Sequence, residues 1–539
     1  MHLAGAPIGA LSGRAPDAAP TSPWLSRAAA AAAGVLHTAA FAPIEAWWLQ
    51  PLALAGLVWL ARAASPWRAA VLGWYFAFGW LSSGMWWLFI SMHRYGDLPA
   101  PLAALAVALL AAALALYYAA ALAAWARWRG TGAVRPVLLM AALWLAAELA
   151  RASWFTGFPW MASGYPHTTG PLAGWAPWVG VYGLIALSAA ISAALAHALH
   201  TLTSARSAKP GAPAVALRAL VVAAVAGLLV AAGPWLPQDF TQSAGWLKVS
   251  LVQPNIAQDL KFDASRLQQN LDTVTQAVLA APGDVVVTPE SVVPLPFEAL
   301  DSAFWSGLQA AVLNSPRAIM VGVFLPDGQG RHVNSLVGLN AAAMPEQARF
   351  YQYGKRHLLP FGEFIPPGFG WFVQAMNIPL GDQGAGLSTA PFVVAGQRLR
   401  PLICYEDLFG EDIVRSAVGP QAATIFVNVS NLAWFGTLMV QDQHLQFSRM
   451  RALEFQRPVV RATNTGSTAV VNHRGQVQSR LPPDVAATLN DRVEGRQGET
   501  PYARWLATAG LAPLWVFVVA ICLWAVVADR RQSASDRRR

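Results

Sequence analysis

The chain has 539 residues, 55% of them hydrophobic and only 12% charged, with a mean hydropathy of +0.40. That composition excludes an ordinary soluble protein and points to an integral membrane protein long enough for two or more domains. The net charge of +9 comes from arginines beside apolar runs and at the C-terminal end, a topology pattern rather than a phosphate-binding face, so no nucleic-acid partner is expected.

Residues 1–27, small, polar and proline-bearing without a cleavage site, read as a cytoplasmic lead. Apolar spans follow at 28–43, 47–63, 68–93, 99–126, 136–153, 173–200 and 214–234, giving a transmembrane domain over 28–240. A last span occupies 505–528, and a basic tail covers 529–539. The expected count is eight crossings, with seven as the competitor. Arginines and lysines fall on alternate connections: Arg14 and Arg27, Arg62 and Arg68, Arg127, Arg129 and Arg135, then Arg206, Lys209 and Arg218. Arg530, Arg531, Arg537, Arg538 and Arg539 end the series, while Arg94 and Arg151 are exceptions. The positive-inside rule then makes both termini cytoplasmic and places the long segment after span seven on the opposite side.

The connection 154–167 is rich in aromatics, Gly and Pro, the composition of an interfacial belt or a loop lining a lipid portal. Just before it, Glu148 and Arg151 stand one helical turn apart and can pair locally. From 245 to 499 the composition becomes that of a soluble domain. Strands are expected at 247–252, 284–288, 318–324, 334–339, 392–394, 399–404, 424–429 and 467–472. Helices are expected at 265–281, 304–313, 407–417 and 441–457. This alternation predicts a layered α/β or α+β sandwich.

Three strings in that domain carry chemistry. The first ends an apolar run in Thr288-Pro289-Glu290, the second holds Lys355 and Glu363, and the third places Cys404 straight after Leu402-Ile403. A carboxylate can take a thiol proton as general base, and an ammonium favours thiolate and later a tetrahedral oxyanion. The other cysteine, Cys522, lies in the last apolar span, so neither a disulfide framework nor a cysteine zinc site is expected. His444 and His473 have no ligand spacing around them and read as surface or structural histidines. No metal and no cofactor is expected.

Thr288-Pro289-Glu290, Lys355-Arg-His-Leu-Leu-Pro-Phe-Gly-Glu363 and Ile403-Cys404-Tyr405-Glu406 resemble the nitrilase, or carbon–nitrogen hydrolase, superfamily. The membrane platform, the form of the lysine string, Trp434-Phe435-Gly436, the Arg449 to Glu454 string and the 158–183 stretch are similar to the apolipoprotein N-acyltransferase family. The resemblance implies a multi-pass α-helical membrane domain of about eight helices joined to an extracytoplasmic α/β/β/α nitrilase-like sandwich. It implies Glu290 as general base, Lys355 as oxyanion-stabilising cation and Cys404 as nucleophile. Glu363, Tyr405, Glu406, Asn334, Trp434 and Phe435 would be supporting or substrate-binding residues. Two departures stand out: Phe262 in Leu260-Lys261-Phe262-Asp263 where relatives often carry Trp, and Leu432 where a carboxylate is usual.

The implied reaction is ping-pong. A membrane phospholipid donates a fatty acyl chain to Cys404, and the N-terminal amine of a diacylated apolipoprotein accepts it. The enzyme would act as a monomer in the bacterial inner membrane with its sandwich on the periplasmic side. Two readings compete: a membrane-anchored nitrilase-type amidase acting on a small C–N substrate, which needs the same trio, and a transporter or scaffold. Few intramembrane charges argue against the last.

Overall fold

The computed structural model describes residues 22–536 apart from 131, 205–211, 301, 314, 342–349, 367, 369 and 371–382. Residues 1–21 of the lead, and Arg206, Lys209 and Arg537, Arg538 and Arg539 of the topology argument, lie outside the described residues.

A helix stands at each expected span: α1 (Pro23–Thr38), α2 (Leu49–Ala61), α3 (Pro66–Gly84), α4 (Ala100–Trp128), α5 (Val134–Ser153), α6 (Ala176–Ser204) and α7 (Ala212–Ala232). Prolines open several of them: Pro66 follows Ser65, whose Oγ accepts the Arg68 N–H at 3.4 Å, so the first turn is both preset and capped. Five helical stretches among the described residues are long and apolar enough to cross a bilayer: Ala100–Trp128, Val134–Thr156, Pro171–Thr203, Leu217–Trp235 and Ala512–Ser535. α1, α2 and α3 are shorter or less apolar and pack beside them. α1 and α3 cross closely at glycines. A Cβ on Gly34 would lie 1.9 Å from the Phe76 carbonyl oxygen, and one on Gly79 would lie 2.4 Å from that of Ala31.

The domain after α7 is a sandwich of two six-stranded sheets. The first comprises β1 (Thr241–Gln253), β2 (Val285–Val287), β3 (Ala318–Pro326), β4 (His332–Leu339), β5 (Tyr351–Gly354) and β12 (Ala487–Gly498), in the order β12-β1-β2-β3-β4-β5. The second comprises β6 (Phe392–Val394), β7 (Gln397–Ile403), β8 (Ile425–Ser430), β9 (Val459–Thr463), β10 (Ala469–Val471) and β11 (Val477–Arg480), in the order β11-β10-β9-β8-β7-β6. In each, three central strands run parallel (β1-β2-β3 and β7-β8-β9) and antiparallel strands flank them. Alternate residues such as Val249, Leu251, Val285 and Val287 meet Leu399, Ile403, Ile425 and Val427 between the sheets. α8 (Leu267–Ala280) and α9 (Ser302–Leu313) cover the outer face of the first sheet, and α10 (Val440–Phe455) and α11 (Pro501–Ala509) cover the second. The layering is α/β/β/α, and α12 (Ala512–Asp536) then ends the described chain.

Two expectations need correction. The helix expected over 407–417 is three short turns, Cys404–Leu408, Gly410–Ile413 and Val414–Ser416. Phe409 breaks them with φ −107° and ψ 88°. The expected strand list also lacks β5, β9, β11 and β12. Much of β12 is polar because it is an edge strand whose residues alternate toward solvent.

α10 joins the two halves. It is almost wholly buried: Val440, Phe447, Met450 and Leu453 pack into the helical domain, while Leu445, Ala452 and Phe455 pack on the second sheet. Gln443 adds polar bolts, its Oε1 accepting from the Trp87 and Trp160 indoles at 3.1 and 2.8 Å and its Nε2 donating to Gly84 at 3.1 Å. Glu148 and Arg151 form a buried ion pair at 2.6 Å. Arg151 also donates to the Phe158 and Trp160 carbonyls, and Glu148 accepts from the Ser163 N–H and hydroxyl. The pair clamps the aromatic loop to α5.

Candidate active site

Three strands end where the sandwich meets the helical domain, and each delivers one side chain. Glu290 follows β2, Lys355 follows β5 directly, and Cys404 follows β7 directly. Parallel central strands put such ends on one side of a sheet, and residues there ride on rigid backbone while staying at an accessible rim. The two turns are tight: Ser291 has φ +45° and Cys404 φ +51°, left-handed values unusual for residues with a Cβ.

Lys355 is the hub. Its ammonium lies 2.7 Å from Glu363 Oε1 and 3.4 Å from Glu290 Oε1, all three side chains being nearly buried. Asn334 Nδ2 bridges the same two carboxylates, donating to Glu290 at 2.7 Å and to Glu363 at 3.2 Å, while its Oδ1 has no partner. The second oxygen of Glu290 accepts the Asn431 N–H at 2.8 Å, and that of Glu363 accepts the Leu359 N–H at 2.8 Å. Burial works against the Lys355 charge, but Glu363 and then Glu290 more than offset it and hold its pKa above the ordinary lysine value.

The thiol behaves differently. Cys404 keeps partial solvent exposure, yet desolvation, reinforced by the Glu290 charge, pushes its pKa well above the ordinary range. The nearby Lys355 pulls the other way and loses. The Lys355 ammonium alone does not offset the burial of the thiol. Glu290 is close enough for its charge to act on the thiol, which is the placement a general base would require.

Glu406 and Tyr405 are engaged elsewhere. Glu406 accepts the Tyr353 hydroxyl at 2.8 Å, the Arg356 N–H at 2.7 Å and the Ile403 N–H at 2.7 Å. It ties the strand before the cysteine to the strand before the lysine. The Tyr405 hydroxyl donates to the Gly157 carbonyl at 3.1 Å and its ring stacks on Phe158, so it anchors the aromatic loop. Trp434 and Phe435 face the helical domain too. The Trp434 ring lies 5.5 Å from Tyr95 and 6.5 Å from Phe262, and Phe435 lies 4.9 Å from Trp87. Phe262 is 39% exposed, so it offers apolar surface at this rim, whereas Leu432 is buried and fills the place expected of a carboxylate with packing.

Three buried groups escaped the sequence reading as site residues. Lys261 donates to Ser291 Oγ at 2.8 Å and reaches the Glu290 carbonyl at 3.4 Å, and burial pulls its pKa down to about 8. Asn431 supplies only a backbone donor, for which sequence offers no signal. His444, expected to be a surface or structural histidine, is fully buried. Its Nε2 lies 3.1 Å from the Cys404 carbonyl oxygen, and desolvation together with Arg461 holds its pKa far below the ordinary histidine value. Among the described residues no group of three or more His, Cys, Asp or Glu side chains could hold a metal ion.

A family model described as the N-terminal domain of apolipoprotein N-acyltransferase matches residues 33–194, and one described as carbon–nitrogen hydrolase matches 248–492. The apolipoprotein N-acyltransferase of Verminephrobacter eiseniae is 45% identical over 510 residues, a match covering 90% of this chain and 93% of that protein. The apolipoprotein N-acyltransferase of Ralstonia nicotianae is 44% identical over 517 residues, covering 94% of each.

Proposed function

The chain belongs to the apolipoprotein N-acyltransferase family, and we propose that it moves a fatty acyl chain from a membrane phospholipid to a lipoprotein's N-terminal amine through a thioester on Cys404. The observation that carries this reading is the meeting of a thiol, a carboxylate and a doubly paired ammonium at the rim where the sandwich sits on the apolar helices. A family match that covers the helical half as well as the hydrolase half favours acyl transfer over an anchored amidase.

Glu290 takes the Cys404 proton as the sulfur attacks the ester carbonyl. The oxyanion forms against the Lys355 ammonium and the Tyr405 N–H. As it collapses, the C–O bond breaks and the leaving lysophospholipid oxygen takes the proton from Glu290. The α-amine of a diacylglyceryl-cysteine then attacks the thioester and gives its proton to Glu290. As the C–S bond breaks, Glu290 passes that proton to the leaving sulfur, which leaves an amide, the free thiol and the carboxylate. Glu363 and Asn334 position Lys355 and Glu290, Glu406 and Tyr405 fix the backbone on either side of Cys404, and Trp434 and Phe435 border the lipid entry.

The domain boundaries follow the same reading, spans over 28–240, a catalytic sandwich over 245–499 and a final span expected over 505–528, except that this span starts at Ala512 because Pro501–Ala509 covers the second sheet. Eight crossings, a periplasmic sandwich and cytoplasmic termini are supported by the five long apolar helices, their three packed companions and the arginine alternation. The enzyme acts as a single chain in the bacterial inner membrane, since one copy holds every group the chemistry needs.

Mass spectrometry of the full chain incubated with phospholipid and no acceptor tests this. The expected product is a hydroxylamine-labile acyl adduct on Cys404 that a diacylated lipopeptide discharges as an amide. Absence of the adduct in folded, membrane-embedded protein would overturn the phospholipid-donor reading, and discharge by water at the rate given by lipopeptide would restore the amidase.

A further inference from the structure

The Cys404–Tyr405 peptide has two edges. One carries the Tyr405 N–H, which the proposed mechanism aims at the oxyanion; the other carries the Cys404 carbonyl. In a planar trans peptide these point in opposite directions, so whatever holds the carbonyl also sets where the N–H points. The Cys404 φ of +51° makes the setting consequential, because an L-residue has no intrinsic preference for that turn and the surroundings must impose it.

Two side chains grip the carbonyl from behind: His444 Nε2 at 3.1 Å and Asn428 Nδ2 at 3.3 Å. The histidine tautomer follows from its other nitrogen. Arg461 places a guanidinium nitrogen 2.6 Å from His444 Nδ1, and a guanidinium can only donate. Nδ1 must therefore accept, and Nε2 carries the proton that it donates to the Cys404 oxygen. Arg461 is itself fixed by Asp407 at 3.2 Å and by the Ser448 hydroxyl. Asp407 Oδ1 lies 3.4 Å from His444 Nε2, farther than the carbonyl, and accepts no hydrogen bond. The ring cannot swing away. Trp160 stacks on it at 5.9 Å and Phe447 meets its edge at 6.1 Å.

We propose that His444 is a positioning residue that aims the Tyr405 N–H as an oxyanion donor by holding the opposite edge of the same peptide. This rests on the reading that a tetrahedral oxyanion forms at Cys404. A donor on the carbonyl also polarises the peptide, which strengthens the N–H on its far side. Because Trp160 belongs to the loop of the helical domain, the aim of that donor depends on the seating of the sandwich on the membrane helices.

Two reactions of the same thiol separate aim from mere folding. Acyl transfer builds an oxyanion, whereas alkylation by iodoacetamide displaces iodide and builds none. The full chain in phosphatidylethanolamine vesicles is assayed for both by mass spectrometry of Cys404. His444→Ala is expected to slow acylation about 10-fold or more with lipid KM and alkylation each changed by less than about 2-fold. His444→Gln, which keeps an N–H donor of similar reach, is expected to recover most of the acylation rate. Equal slowing of acylation and alkylation, or unchanged acylation, would overturn the proposal. Should the alanine variant not fold, Asn428→Ser withdraws the other donor from the same carbonyl and must show the same split. Failure of the wild type to acquire an acyl group from phospholipid would sink the acyltransferase reading instead. The split can then still be read with a p-nitrophenyl fatty ester.

Discussion

Lys355 lies closer to Glu363 than to Glu290, 2.7 Å against 3.4 Å, so the carboxylate proposed as base is not the one that chiefly neutralises the lysine. That division of labour keeps Glu290 available for the thiol proton. It predicts unequal costs. Glu290→Gln is expected to cut the rate of Cys404 acylation by about 10³-fold, within the span for loss of a general base, because the thiol has no other carboxylate assigned to it. Glu363→Gln leaves Lys355 one carboxylate and should cost only about 10-fold in the same measurement, since it disturbs position rather than proton transfer. Equal losses would mean that either carboxylate serves as base. Lys355→Met removes the cation from between two buried carboxylates and is expected to lower unfolding stability by about 3–5 kcal/mol, read from denaturant midpoints.

Glu406 separates scaffold from chemistry. Its two oxygens receive the Tyr353 hydroxyl and the Arg356 and Ile403 N–H groups, so replacing it by Gln turns one acceptor into a donor facing another donor. One buried N–H or O–H is left unpaired, at a cost of about 1–3 kcal/mol. The expected outcome for Glu406→Gln is a lower melting temperature together with slower alkylation of Cys404, because the turn holding the thiol loosens. A variant with wild-type stability and alkylation but no acyl transfer would instead place Glu406 in contact with substrate.

Much of this site was legible because the chemistry lies in short strings at strand ends. Thr288-Pro289-Glu290 and Ile403-Cys404 each pair an apolar strand with the residue just beyond it, and β2 and β7 end within a few residues of where the pattern puts them. The Glu363 string was legible only through resemblance, since nothing in a loop's composition says which carboxylate folds back onto a lysine. The second layer was not legible at all. Asn431 and His444 meet their partners across sequence separations of 141 and 40 residues, and a polar residue in a buried segment looks the same whether or not it points at the site. The helix expected over 407–417 failed for a related reason. Glu406 spends its carboxylate on the Ile403 and Arg356 backbone, which fixes tight turns in place of a regular helix. On the membrane side the hydropathy runs located the long helices but not their roles, because residues of α1 to α3 are buried against neighbouring helices.

The junction between the two halves carries its own pH dependence. Arg451 pairs with Glu454 at 3.0 Å under the helical domain, and Glu454 also accepts the Val181 N–H at 2.6 Å. The Arg451 charge also acts on the buried Glu411. Burial pushes both carboxyls up to about 7, with Arg451 pulling against it. A carboxyl whose pKa is raised on folding binds its proton more tightly in the folded state. Its stabilisation is thus complete below the unfolded value near 4.5 and is lost as pH rises through about 7. The detergent-solubilised protein is therefore expected to melt several degrees lower at about pH 8 than at about pH 5, before other groups are counted. Glu411→Gln cannot ionise and should remove part of that difference, about 1–3 kcal/mol, while leaving the acid-side melting temperature nearly unchanged. Parallel melting curves for wild type and variant across that range would show that the junction carboxyls stay ionised throughout, with Arg451 outweighing their burial.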